Sequence, residues 1–134
     1  MESVDFKEMN DGYIMKPTLR QTKRYCQTLQ LREDDELIRQ YISAHSREHH
    51  WPEISEGIRQ IGIIDMQIFI HGNILFMIVD TPLDFNWDEA FARLATMPRQ
   101  QEWEEYVGRF QNAAPGATSD QKWQLMRRIF HIYD

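Results

Sequence analysis

The chain has 134 residues, 42% hydrophobic and 27% charged, with four tryptophans and seven phenylalanines. That is the make-up of one folded domain with a two-layer core, and it excludes a disordered tail. A net charge of -6, with basic residues densest at only Lys122, Arg127 and Arg128, speaks against a nucleic-acid partner, because such binders gather positive charge on one face.

Cys26 is the single cysteine, so no intrachain disulfide and no multi-cysteine metal knuckle can form. It reads as a small apolar residue within a strand. The N-terminal residues are acidic from position 2 and lack the apolar segment of a signal peptide. Apolar runs such as 74–79 are far shorter than a membrane span, so a cytoplasmic protein with no membrane partner is expected. Residues 1–20 follow neither the helical nor the strand period. The expected division is therefore an N-terminal extension over 1–21, lying over the domain or mobile, and one domain over 22–134.

Residues 24–31, RYCQTLQL, alternate as a strand: Tyr25, Gln27, Leu29 and Leu31 on one face, Cys26 and Thr28 on the other. Asp34 and Asp35 suit a helix start, and Leu37, Ile38, Tyr41, Ile42 and His45 follow at helical spacing. Pro52 fits the first position of a second helix with Ile54, Ile58 and Ile61 inward, and Gly62 ends it. Two strands are predicted at 63–70 and 74–79, joined by His71-Gly72-Asn73. Asn86 with Glu89 marks the start of a third helix carrying Phe91 and Leu94. Beyond Pro98, the stripe Trp103, Tyr106, Val107 and Phe110 predicts a fourth helix. Residues 112–120 read as loop. The β-branched and aromatic run 123–133 reads as a closing strand.

The order strand, helix pair, two strands, helix pair, strand is an α+β, ferredoxin-like split βαβ arrangement with an antiparallel sheet. Helices cover one sheet face. The other carries either Met66, Ile68 and Ile70 or Phe76 and Ile78, and nothing else in the chain is left to cover it. A homodimer packed sheet to sheet is the economical solution.

The stretch YISAHSREHHWPEI, residues 41–54, holds three of the five histidines. His45 and His49 have the spacing of a helical zinc pair, but Ser46 stands where a zincin carries Glu and no third ligand is near. No metal is expected. Tyr41 and His45 fall one turn apart on an apolar stripe. Either they are core residues satisfied by backbone groups, or they open a pocket where a histidine near neutrality moves protons both ways. Core packing is the default for Trp103, helix wedging for Trp51 and turn chemistry for His71, while solvent-face alternation and ligand contact explain Asp65 and Gln67 about equally well.

Tyr41, three residues, His45, then Trp51-Pro52-Glu53-Ile54, within a split βαβ chain of this length, resembles the L-rhamnose mutarotase family. Gly62, the GNILFMIV strand, Gln101-Glu102-Trp103 with Tyr106 and the final RIFHIY extend the resemblance over residues 22–133. It implies a dimeric α/β barrel that interconverts the α and β anomers of a pyranose, such as L-rhamnose or a related deoxy sugar, without metal or cofactor. It further implies that His45 is the acid/base, that Tyr41 contacts the sugar, and that Met66, Trp103 and Glu104 complete the pocket. Relative to shorter bacterial members, the spacer between His45 and Trp51 is two residues longer. Met66 replaces a tyrosine, and Glu104 replaces a second aromatic. Two other classes share the fold prediction: a cofactor-independent monooxygenase on a dimeric barrel, and a sugar-sensing module without turnover.

Overall fold

A computed structural model describes residues 6–16 and 20–133. Its frame is a four-stranded antiparallel sheet in the order β2-β3-β1-β4. The strands are β1 (Thr22–Gln30), β2 (Asp65–His71), β3 (Ile74–Pro82) and β4 (Gln124–Leu125). Helices α2 (Asp35–Ala44), α3 (Pro52–Gln60), α4 (Trp87–Leu94) and α5 (Gln100–Gly108) fill the connections, with short α1 (Phe6–Asp11) and α6 (Ser119–Lys122) outside them. This is the α+β split βαβ order expected from the sequence.

Period-two alternation sets the faces. Leu75, Met77, Val79 and Thr81 of β3 are buried under the helices. Their register partners share that face: Leu29, Gln27 and Tyr25 on β1, and Ile70, Ile68 and Met66 on β2. Tyr41, Phe91, Leu94, Val107 and Phe110 close the core from the helical side. Phe76 and Ile78, with Phe69, Cys26 and Thr28 beside them, therefore point the other way.

Local chemistry explains the helix limits. The Asp34 side chain accepts from the Glu36 and Leu37 amides at the start of α2, and Asn86 accepts from the Glu89 amide at the start of α4. Caps of this kind each contribute about 1 kcal/mol. Pro52 occupies the first turn of α3, and Gly62 follows its end at φ 102°, where a side chain would be strained. The hairpin turns on Gly72 at φ 61°. Arg99 caps α5 at φ 62° without being glycine. Its guanidinium is tied to Glu53 (3.1 Å) and Glu102 (3.0 Å) and lies 4.1 Å from the Trp51 ring centre, contacts that offset the strain.

Three expectations change. The closing strand is not residues 123–133 but Gln124–Leu125 alone, with one further bond from the Met126 amide to the Cys26 carbonyl (2.8 Å). The run is rich in strand formers, but a strand also needs a neighbouring backbone, and the chain leaves the edge of β1 after Met126. Ile129, Phe130, Ile132 and Tyr133 are between 72% and 88% exposed as a result. The 112–120 loop is cut short by α6, which begins at Ser119 behind a Thr118–Gln121 capping box. Within 1–20, α1 forms, and the segment after it reaches the sheet. The Tyr13 ring stands edge-on to Phe69 at 5.6 Å, and Gln67 Nε2 donates to Met15 Sδ at 3.5 Å.

Candidate functional site

Between the helix-facing side of the sheet and the facing ends of α2, α3 and α5 lies a cavity of about 430 Å³, a size suited to a small ligand. The five residues singled out from the sequence, Tyr41, His45, Met66, Trp103 and Glu104, all line it. Three different stretches of chain bring them together.

His45 does not sit inside α2. The helix ends at Ala44 and His45 is its C-cap, so the residue is solvent-accessible at the cavity and not enclosed in the core, the second of the two placements its stripe position allows. Its ring still packs on its inner side between Tyr41, at 4.4 Å between ring centres, and Trp103, at 5.3 Å. Nδ1 lies 2.8 Å from the Tyr41 carbonyl oxygen. A carbonyl only accepts, so Nδ1 carries the hydrogen and Nε2 keeps the lone pair of the neutral ring. Desolvation lowers the His45 pKa below its ordinary 6.5, opposed in part by the hydrogen bond to Tyr41.

Tyr41 is 3% exposed. Burial pushes its phenol well above the ordinary 10, while a hydrogen bond from the Gln111 side chain pulls the other way. Tyr41 therefore stays a protonated donor at any physiological pH. The two neighbours are held in complementary forms: a neutral imidazole with one free lone pair, and a phenol that keeps its proton.

An aromatic wall flanks the pair. Trp103 stands edge-on to Trp51 at 5.1 Å, and Trp51 stacks on Tyr106 at 5.4 Å. The cavity lining also has a polar part. Glu104 Oε1 receives the Lys122 ammonium at 3.0 Å, and the same ammonium donates to the Glu104 carbonyl at 2.6 Å. Glu104 Oε2 receives Gln100 Nε2 at 2.6 Å. The Lys122 side chain is only 3% exposed and that of Glu104 13%. A buried pair of this kind is tolerable only because its geometry and additional hydrogen bonds satisfy both charges.

Trp51, Gln100, Gln111, Trp123 and the mouth residues Arg47 and His50 also line the cavity. From the sequence Trp51 reads as a helix wedge and Trp123 as part of a strand, while nothing there marks Gln100, Gln111 or Lys122 as cavity residues. Of these only Trp51 carried a local signal, its position before Pro52. Asp65 and Gln67 bond each other (3.0 Å) on the far side of the sheet and have no part in the cavity. His49 is engaged with the Ser43 and Ser46 hydroxyls at 3.3 and 3.1 Å. Among the described residues no three His, Cys, Asp or Glu side chains gather as a metal-binding group. No helix of the described residues is long and apolar enough to cross a membrane.

The family model for L-rhamnose mutarotase matches residues 24–132. A Xanthomonas campestris pv. campestris protein described as L-fucose mutarotase is 38% identical over 110 residues, 82% of this chain and 88% of its own length. A UPF0734 protein of Dictyostelium discoideum is 31% identical over 113 residues, 84% of this chain and 89% of its own. The crystal structure of an L-rhamnose mutarotase from Formosa agariphila has a TM-score of 0.62, covering 82% of this chain and 98% of that one. At 18% identity that likeness carries the fold.

Proposed function

Because this chain belongs to the L-rhamnose mutarotase family, we propose that it interconverts the α and β anomers of a pyranose, L-rhamnose or a related deoxy sugar such as L-fucose, with His45 as acid/base. The observation that carries the reading is the 2.8 Å contact of His45 Nδ1 with the Tyr41 carbonyl, which leaves Nε2 as the basic nitrogen in the cavity.

Anomer exchange needs a proton removed from the anomeric hydroxyl and one delivered to the ring oxygen. Nε2 takes the hydroxyl proton, the oxygen's electron pair forms the aldehyde carbonyl, and the bond from the anomeric carbon to the ring oxygen breaks. The ring oxygen leaves with that electron pair and takes the proton back from the imidazolium. The aldehyde then rotates, and closure reverses both transfers. Both oxygens are bonded to the same carbon, so one imidazole can serve both. Tyr41 holds its proton too firmly to act as the shuttle and instead donates a hydrogen bond that orients a sugar oxygen. Trp103 offers an apolar platform to the C–H face of the sugar, Met66 packs beside it, and Glu104 accepts from a sugar hydroxyl.

The wider reading is of a catalytic domain over residues 22–134, with 1–21 as an extension, in a cytoplasmic enzyme that works as a homodimer paired through the sheet face opposite the helices. Support for the pairing comes from Phe76, Ile78 and Cys26 on that face and from the exposed apolar side chains beyond Leu125. The monooxygenase alternative had only the fold in its favour, and family membership weighs against it.

Saturation-transfer NMR of L-rhamnose, L-fucose and further pyranoses tests the activity. Absence of acceleration over buffer for every sugar rejects it.

A further inference from the structure

The segment after α1 lies on the sheet face turned away from the helices. Tyr13 meets Phe69 edge-on at 5.6 Å, and Met15 Sδ receives Gln67 Nε2 at 3.5 Å. Two residues forward along the segment thus match two residues back along β2, so the segment crosses the face of β2 antiparallel to it. Ile14, between the two anchors, is fully exposed. That alternation is the signature of extended chain with one side turned to the sheet. Gly12, at φ 75°, turns the chain out of α1 into this course.

The hold on β2 is slight. Tyr13 and Met15 remain 47% and 48% exposed. Among the described residues no backbone hydrogen bond joins 13–16 to the sheet. Two side chains make the attachment, and a segment with so few buried contacts opens readily.

Its position matters for pairing. Phe69 and Gln67 stand in register with Phe76 and Ile78, on the same face. Stacked sheets lie about 10 Å apart, so the side chains of a second copy would fill the layer directly above these residues. Over β2 that layer already holds Tyr13 and Met15. The segment also precedes the part of the chain that the family model matches, which begins at residue 24.

We infer that residues 13–15 are a displaceable strap, which competes with a second copy of the chain for the β2 side of the pairing face. The inference rests on the sheet-to-sheet pairing proposed above and goes beyond it by giving the chain a built-in brake on association. The strap must lift before two copies close fully, so the observed affinity is lowered by the fraction of chains in which it is down.

The test uses full-length chains in sedimentation equilibrium. Tyr13→Ser combined with Met15→Ser removes both anchors without touching the core, and should lower the dimer dissociation constant about tenfold. Ile14→Ser removes the side chain that points away from β2 and should leave that constant unchanged. In the wild type, the methyl proton signal of Met15 should move toward that of a free methionine as concentration rises and dimer forms.

A double variant that pairs no more tightly than the wild type overturns the inference and leaves the pairing intact. Weaker pairing by Ile14→Ser also overturns it, because the segment would then belong to the interface. So does a Met15 signal that stays in place while the protein dimerises. If wild type and double variant both remain monomeric, the pairing and the strap fall together.

Discussion

His45 Nδ1 is bound to the carbonyl of Tyr41, the residue whose ring its own ring packs against. One turn of helix thus supplies the phenol, fixes the tautomer of the imidazole and sets the spacing between them. Removing the imidazole should leave the fold intact, because His45 is an accessible cap residue. His45→Ala is expected to lower anomer exchange by about 100- to 10,000-fold with an unchanged circular dichroism spectrum. Exchange at the wild-type rate would show that another group moves the proton.

The lowered pKa of His45 gives a pH dependence with a definite sign. With His45 as the proposed base its neutral form is the active one, so kcat/KM should hold steady from neutral pH down past 6.5 and fall only at lower pH, as the folded-state pKa is crossed. Stability follows the same direction. The unfolded chain takes up a proton more readily, so the contribution is complete above about 6.5 and is lost as pH falls through the lowered value. Exchange rates between pH 5 and 8 and urea midpoints over the same range check both statements.

Lys122 and Glu104 provide a stability test separate from catalysis. Lys122→Met leaves a largely buried carboxylate uncompensated, and breaking such a pair costs about 3–5 kcal/mol. The double variant Lys122→Met with Glu104→Gln removes the charge that the single variant strands, and should recover part of the loss. Urea denaturation of the two proteins decides the point: equal stabilities would mean that the pair does little for the fold.

The sheet face opposite the helices, covered only in part by Tyr13 and Met15, predicts self-association. Phe76→Lys combined with Ile78→Lys places two charges where sheet-to-sheet pairing would bury them, and should shift sedimentation from dimer to monomer. A wild type that sediments as a monomer at all concentrations removes the pairing proposal altogether.

Much of this molecule can be read from local patterns. Alternation in β1 and β3, the Asp34 and Asn86 caps, Pro52 and the Gly72 hairpin each act over a few residues, so they leave a visible mark in the sequence. Tyr41 and His45 are legible for the same reason, being one turn apart. The polar part of the cavity lining is not. Gln100 opens α5, Gln111 follows its end and Lys122 closes α6, and each lies in a polar stretch with no period to set it apart. Their burial is decided by the packing of distant segments. The closing strand misled for the converse reason: residues 123–133 have the composition of a strand, but composition does not supply the neighbouring backbone that a strand requires.

Lys122 and Trp123 are the last residues before the two paired positions of β4. The ammonium that fixes Glu104 and the edge of the sheet therefore belong to one unbroken stretch of four residues, 122–125. A copy of the chain that gripped the exposed segment beyond Leu125 would pull on the far end of that stretch. Dilution then becomes a kinetic variable, and the rate per chain across a concentration series reports how firmly the sugar site is tied to its neighbour.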